Sequence, residues 1–498
     1  MNATNDIRWY NDALLVARDP SWAMQICPND ISSPEEAEAA VRTYFETYVK
    51  GYRTTDFLLC VYEQLSMIPS DVFEWQGIKY LMNEYRGEPV DFSWMRGQYA
   101  VWAEFGLDPV QICIDVMREN VVRPWLTLRM NDAHYRMEHS EPEPIWSKYK
   151  FYYKSDWYYE QLEAGHIIGP DYGKYMERCY NFAYAEIREK FVQYVRELLA
   201  KYDVFGLDLD FLREIYCLDY KHDPDCHRYM TEMIREIHEV VRSAEARVGH
   251  PIRLMVRLPR SIGEAYGFGF DIETWSAEGL IDAVSPCARW ECNDSGIPIR
   301  EWREKLGENI ALFTGIETIN QHFSLTTSEQ VKGYAAAGFA QGADGTYLYN
   351  YHNRRDRDKE AWNLRRAQVL EGRREFTVTY QDITSGAEPC YRPLPMHING
   401  YAELPLQIGQ VHASDHVTVL IDFVGEELPT LTVGARNGLV PAVVPPHIIA
   451  HEDGAPICMT PGTPLSYQAD GLMSADGDVV LSFEGHGTIS YLTVIIDH

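Results

Sequence analysis

The side chains best suited to chemistry fall into two short runs. The first, Arg129-Met130-Asn131-Asp132-Ala133-His134, sets a guanidinium, a carboxamide, a carboxylate and an imidazole within six residues. The second, Asp208-Leu209-Asp210-Phe211-Leu212-Arg213, places two acids two apart and follows them with an arginine. Residues i and i+2 of a strand share a face. Phe205, Leu207, Leu209 and Phe211 take one parity, so Asp208 and Asp210 take the other and should point inward. Stacked acids repel unless a cation intervenes, and Arg213 is placed to be that cation. By the same parity Leu126, Leu128 and Met130 face outward while Thr127, Arg129 and Asn131 face inward, with His134 on the loop beyond. An imidazole there suits proton transfer near neutral pH.

Arginine decides which chemistry these residues could serve. A guanidinium holds a carboxylate through two parallel charge-assisted hydrogen bonds. Arg129, Arg213 and Arg257 are expected at one mouth, which points to an acidic sugar. A sialic acid carries its carboxylate on the anomeric carbon and would repel an anionic nucleophile, so a base-activated water suits it better. An ordinary glycosidase instead needs two carboxyl groups, about 5–5.5 Å apart for retention or about 6.5–9.5 Å for inversion. Asp208, Asp210 and Glu317 could supply them, and that alternative stays open, with Asp210 and Glu317 as the pair.

Positioning these groups requires a repeated strand–helix frame. Short β-rich runs alternate with helical segments at Ile7–Asp12, Phe57–Tyr62, Trp125–Met130, Val204–Asp210, Ile252–Arg257, Ile281–Pro286, Ile310–Gly315 and Gly345–Tyr349. Eight such units predict an α/β fold, a (β/α)8 TIM barrel, whose site forms at the carboxyl ends of the strands. Those ends also supply Asp12, Glu63, Arg289 with Trp290, and Asn350. Ser33-Pro34-Glu35-Glu36 and Asp108-Pro109 carry helix-start chemistry, and Asp223-Pro224 opens an amphipathic helix running to Gly249. An insertion at about 132–171 holds Trp146, Tyr149, Phe151, Tyr152, Tyr153, Trp157, Tyr158 and Tyr159, whose rings suit either a sugar cleft or a self-packed subdomain. Beyond the last helix the pattern turns to short β runs and glycine turns. Residues 1–372 therefore read as the barrel and 373–498 as a C-terminal all-β sandwich that could bind sugar, close the barrel or mediate a homodimer.

Composition narrows the partners. The 498 residues carry a formal net charge of −29, which opposes the phosphate contacts that drive nucleic-acid binding. An acidic ligand must then be captured by locally placed arginines. No apolar run approaches the roughly 20 residues of a membrane span, and no basic, apolar leader is visible. A soluble, by default cytoplasmic, chain without membrane partner is expected. Cys217, Cys226 and His227, like Cys287 and Cys292, lack paired metal-ligand spacing, so neither metal nor cofactor is expected.

The two runs above, together with Tyr347-Leu348-Tyr349-Asn350-Tyr351, resemble the inverting exo-sialidases of glycoside hydrolase family 156 along the barrel and the β domain. That resemblance implies a TIM barrel that releases terminal α-linked sialic acid from a sialoglycan with inversion, using an aspartate and a histidine. It makes His134 the catalytic histidine, Arg129 and Arg213 the carboxylate clamp, Asn350 a substrate contact and Asp12 the first-strand catalytic aspartate. Asp132 or Asp12 would orient His134, and Asn131, Asp208, Asp210, Arg257, Trp290 and Glu317 would complete the sugar site. A catalytically silent carbohydrate-binding barrel is the remaining alternative.

Overall fold

The computed structural model describes residues 9–18, 31–75, 77, 84–85, 88–89, 96–132, 155–169, 179–289, 293–320, 324–351, 356–378, 393–445, 448–450, 456–458 and 462–498. Eight parallel strands form the barrel: β1 (Leu14–Arg18), β2 (Asp56–Glu63), β3 (Arg123–Arg129), β4 (Gly206–Asp210), β5 (Arg253–Pro259), β6 (Ala283–Cys287), β7 (Ala311–Glu317) and β8 (Gly345–Tyr349). They pair in the order β1-β8-β7-β6-β5-β4-β3-β2, and β1 also pairs with β2, so the sheet closes on itself. The expected TIM barrel is the fold. The first strand is displaced from its predicted position, because the fully buried run LLVAR at Leu14–Arg18 forms it. Trp9 to Asp12 turn ahead of it, with Asp12 at a left-handed φ of 56°.

Helix starts follow the local chemistry. In α1 (Pro34–Val49) the Ser33 hydroxyl accepts from the Glu36 N–H, and Asp108 caps α2 (Pro109–Glu119) through the Val110 and Gln111 N–H groups. α3 (Asp156–Ala164) and α4 (Ala185–Lys201) precede β4. α5 (His227–Val248) begins three residues past the Asp223-Pro224 signal and ends at Gly249 in the left-handed conformation. Among the described residues, no helix is long and apolar enough to cross a membrane.

By contact density the chain divides into two compact units. One comprises Val16–Leu258 with Gly263–Val284. In it β2 to β5 stack their inward side chains in layers fixed by register. Leu58, Trp125, Gly206 and Arg253 align; Cys60, Thr127, Asp208 and Met255 align next; Glu63, Arg129, Asp210 and Arg257 align nearest the carboxyl ends. Trp125 fills the first layer and donates its indole N–H to Asp56. Its ring occupies the space where a Cβ on Gly206 would stand, 2.2 Å from ring carbons.

The other unit comprises Met1–Leu15, Pro259–Ile262 and Ser285–His498. There α8 (Ser328–Ala340; α6 is Ile272–Ala277 and α7 is Ile299–Leu306) lays Gly338 against Thr314, so even-numbered residues of β7 face the helix and Glu317 lies on the opposite, inner face with Tyr349. Among the described residues, the C-terminal all-β domain is built on an eight-stranded antiparallel sheet of β9 (Arg374–Thr377), β10 (Met396–Gln407), β11 (His416–Val424), β12 (Thr430–Val433), β13 (Arg436–Leu439), β14 (Ala442–Val443), β15 (Thr463–Gln468) and β16 (Asp478–Asp497), with Ile448–Ala450 and Pro456–Cys458 pairing in a separate two-stranded sheet. β16 is its spine: its first half pairs with β10 and β12, its second with β9 and β11, across a bulge at Ser490. Gly333 of α8 permits close passage of β9, since a Cβ there would meet the Glu375 carbonyl oxygen at 2.0 Å.

Two substitutions test these local constraints. Gly206→Ala should overpack the first layer and destabilise by about 1–3 kcal/mol, a loss that shrinks when Trp125 is also replaced by leucine; chemical unfolding of the single and double variants checks it. Val121, 89% exposed, closes α2 at φ 61° where a β-branched side chain is strained. Val121→Gly should therefore raise stability by about 1 kcal/mol, read as a higher unfolding midpoint.

Candidate active site

The polar layer at the carboxyl ends of β2 to β4 is built by a backbone irregularity. Cys60 pairs with Thr127 but Tyr62 pairs with Leu128, so Val61 is a bulge and Glu63, not Tyr62, aligns with Arg129. The displaced Val61 carbonyl is satisfied by the Tyr194 hydroxyl of α4 at 2.9 Å and the Met67 N–H at 2.9 Å. Gln64, at φ 63°, then turns the chain back. Burial raises the Tyr194 phenol above its ordinary pKa, so it remains a neutral donor.

Arg129 is buried at the tip of β3. Its Nη1 lies 3.1 Å from Glu63 Oε1 and 3.3 Å from Asp132 Oδ2. Arg213, reached from the segment after β4, brings its Nε to 3.8 Å from the same Asp132 oxygen. Asp132 is fully buried between the two guanidiniums. Arg129, at the tip of β3, and Arg213, from the segment after β4, thus approach one carboxylate. Side-chain exposure is 4% for Arg129, 0% for Asp132 and 16% for Glu63, so Glu63 is the most open of these three groups.

Neighbouring acids that could have reached a ligand are spent on structure. Asp210 accepts from Arg257 at 2.8 and 3.0 Å, and its Oδ1 also accepts from the Leu212 and Arg213 N–H groups. Its role is to hold Arg257 and to shape the turn that carries Arg213. Asp210 and Arg257, both expected to contact substrate, hold one another here in a buried, two-pronged ion pair. Asp208 lies one layer deeper, fully buried, accepting from the Thr127 hydroxyl at 2.7 Å. Asn131 is likewise reassigned. Its amide donates to the Tyr180 and Tyr216 carbonyls and accepts from the Tyr180 N–H, tying two loops together.

Asp12 is the clearest correction. It precedes β1, its N–H donates to the Asp344 carbonyl ahead of β8, and its carboxylate accepts from the Arg366 N–H and pairs with Arg365 at 3.1 Å. These are the amino ends of the strands, opposite to where a barrel builds its site. Arg18, whose guanidinium lies 4.4 Å over the Tyr48 ring, ends β1 instead and was not singled out from sequence.

In the second unit, Glu317 ends β7 on its inner face and is buried. Asn293 holds that strand end, accepting from the Glu317 N–H and donating to its carbonyl and to the Thr326 hydroxyl. Sequence reading missed Asn293; its only signal was a carboxamide after a strand. Asn350 follows β8 at φ 58°, a conformation asparagine tolerates, and is half-buried. Arg289 is fully buried after β6. His134 and Trp290 lie outside the described residues, as do Trp146, Tyr149, Phe151, Tyr152 and Tyr153. Of the insertion's described rings, Trp157 and Tyr158 pack on Tyr180, and Trp157 also on Phe73. Lys190 stands 4.5 Å over Trp157, and burial lowers its ammonium pKa. For these rings the self-packed alternative holds. Among the described residues, no group of three His, Cys, Asp or Glu could hold a metal ion.

No protein-family model and no curated protein matches the sequence. Solved structures match weakly. Alpha-L-fucosidase isoenzyme 2 from Paenibacillus thiaminolyticus is 12% identical over 70% of this chain and 47% of its own, with a TM-score of 0.41. A glycoside hydrolase family 36 alpha-galactosidase from Geobacillus stearothermophilus is 10% identical over 95% and 55%, with a TM-score of 0.36. A cycloisomaltooligosaccharide glucanotransferase from Paenibacillus sp. is 9% identical over 98% and 58%, with a TM-score of 0.35. The chain spans about half the length of the chains it matches.

Asp132 should be indispensable to the polar layer. Asp132→Ala leaves two buried guanidiniums facing one another and should destabilise by about 3–5 kcal/mol, whereas Asp132→Asn should cost less. Urea unfolding of the two variants measures the difference, and equal midpoints for both variants and the parent would remove Asp132 from this role.

Proposed function

We propose that this protein is a glycoside hydrolase of the exo-α-sialidase type, which releases a terminal carboxylated sugar from a sialoglycan with inversion. The observation that carries the reading is the meeting of Arg129 and Arg213 at Asp132, at the carboxyl ends of β3 and β4. Two buried guanidiniums, one from β3 and one from the segment after β4, supply planar donors for a sugar carboxylate, in surroundings where charge-assisted hydrogen bonds are strong. The chain's net charge of −29 makes such local capture necessary for an anionic ligand.

In this reading Arg129 and Arg213 fix the carboxylate and set the anomeric carbon's orientation. His134, two residues past the buried Asp132, removes a proton from the attacking water, whose oxygen bonds to the anomeric carbon as the glycosidic C–O bond breaks, the leaving oxygen taking a proton from solvent; that single displacement inverts the anomeric centre. A neutral imidazole is preferable to a carboxylate nucleophile because the substrate's own charge repels an anion. In the two-carboxylate alternative on another sugar, Asp210 would have to act while paired with Arg257 and the backbone.

Proton NMR of the products of an aryl α-sialoside tests activity, substrate class and stereochemistry together; the β-anomer should appear first. His134→Ala should lower kcat by about 10²–10⁴-fold, the usual contribution of general acid–base catalysis. Arg129→Ala should reduce kcat/KM for sialosides. Normal sialoside turnover by the Arg129→Ala enzyme, or cleavage confined to uncharged aryl glycosides, would overturn the assignment.

A further inference from the structure

The β domain carries a polar face that the barrel chemistry does not use. β16 runs between β10 and β12, and register sets their outward side chains in rows: Asn399 faces His486; Tyr401, Glu484 and Thr430 align next; Glu403, Ser482 and Thr432 follow. The alternate residues Ile398, Leu404, Leu431, Leu481 and Phe483 are buried, so each strand presents one apolar and one polar face. Tyr401 stands in the middle of the polar face and is 54% exposed, so a large ring there forgoes the burial its area would reward.

That ring is held in place. Its hydroxyl donates to Glu403 Oε1, two residues along the same strand, and the Ser482 hydroxyl donates to the same oxygen at 3.3 Å from the strand opposite. The hydrogen bond to Glu403 raises the Tyr401 phenol above its ordinary pKa, so it stays a neutral donor. Two donors meet a carboxylate that can accept about four hydrogen bonds. Further along β10, Pro405 faces Val480, and both line a cavity of about 460 Å³ with Gln407, Asp478, Arg260 and Gln341. That volume lies in the range of ligand pockets, about 300–1,000 Å³. Tyr401 and Pro405 are four residues apart on one face, about 14 Å at the rise of a strand.

The chemistry of the face selects its occupant. Glu403 and Glu484 are its acids, with His397 and His486 towards one end, and β10, β12 and β16 contain neither lysine nor arginine. An anionic ligand meets two carboxylates there, in a chain whose net charge is −29. A protein partner would have to bury those carboxylates at the centre of the contact, where interfaces are depleted of charge. An uncharged pyranose chain brings hydroxyl donors for the carboxylates and C–H surfaces for the negative face of an aromatic ring.

We propose that this face is a second, non-catalytic carbohydrate site: it holds an uncharged glycan chain with one pyranose ring stacked on Tyr401, hydroxyls donating to Glu403 and Glu484, and the chain running along β10 toward the cavity. Binding here needs no barrel chemistry, so a protein inactive on every sialoside would still show it.

Titration calorimetry of the intact protein with cellotetraose, maltotetraose and lacto-N-neotetraose reads the site. At least one should bind, about tenfold or more tightly than its constituent hexoses. Tyr401→Ala should weaken that binding by about tenfold or more, as loss of an aromatic anchor does, and Glu403→Gln by a smaller factor; both side chains are exposed, so unfolding midpoints should stay at the parent value. An excess of N-acetylneuraminic acid, proposed for the barrel, should leave the binding unaltered. Binding of none of the three, parent-like affinity in Tyr401→Ala, equal affinity for tetrasaccharide and hexose, or displacement by N-acetylneuraminic acid overturns the proposal. A concentration-dependent dimer that Tyr401→Ala disperses in sedimentation, with no sugar bound, assigns the face to a second copy of this chain and overturns it too.

Discussion

A single fully buried carboxylate, that of Asp132, organises the polar layer at the ends of β2 to β4. Two guanidiniums brought out of water, one from β3 and one from the segment after β4, would repel one another without a counter-charge. Asp132 supplies it from the residue where β3 gives way to its loop. Glu63 adds the second negative charge from β2, and Asp210 stabilises Arg257 while its Oδ1 receives the backbone that leads to Arg213. The layer is therefore an ionic network in which each acid has a defined partner, and its openness is concentrated at Glu63.

The scaffold beneath explains why that network can be held rigidly. Trp125 fills the first layer against Gly206, and Thr127 and Asp208 tie the second by a hydrogen bond. Apolar parity on the opposite side, with Leu126, Leu128, Leu207 and Leu209 all buried, fixes which residues of each strand look inward. Asparagine is used twice in the same manner. Asn131 in one unit and Asn293 in the other each turn a side-chain amide into a substitute peptide group, donating and accepting to hold loops at strand ends. Asn131 looked chemically attractive in the sequence, whereas Asn293 passed unnoticed.

Much of the frame was legible in the amino-acid order, because periodicity and helix-start chemistry are local. The alternation of buried β runs and capped helices predicted the barrel, and the inward parity of Thr127 and Asp208 follows from the apolar residues beside them. Ser33 and Asp108 cap as their types and spacing require. The first strand was misplaced because Ile7–Asp12 and Leu14–Arg18 compete over a few residues, and only pairing with β2 and β8 selects the second. That shift moved Asp12 to the amino ends.

The sequence by itself determined the fold class and the supply of arginines, acids and carboxamides at the strand ends, since these follow from short-range pattern. Tertiary structure alone decided their partners. Asp210 was lost to Arg257, 47 residues away, and Asn131 to carbonyls up to 85 residues away, distances over which no local rule operates. The place of Glu63 was decided there too: it depends on a one-residue bulge whose carbonyl is met by Tyr194 from a helix 133 residues further on. Strand parity can be read from neighbours, but a break in parity is stable only when distant groups satisfy the backbone it exposes.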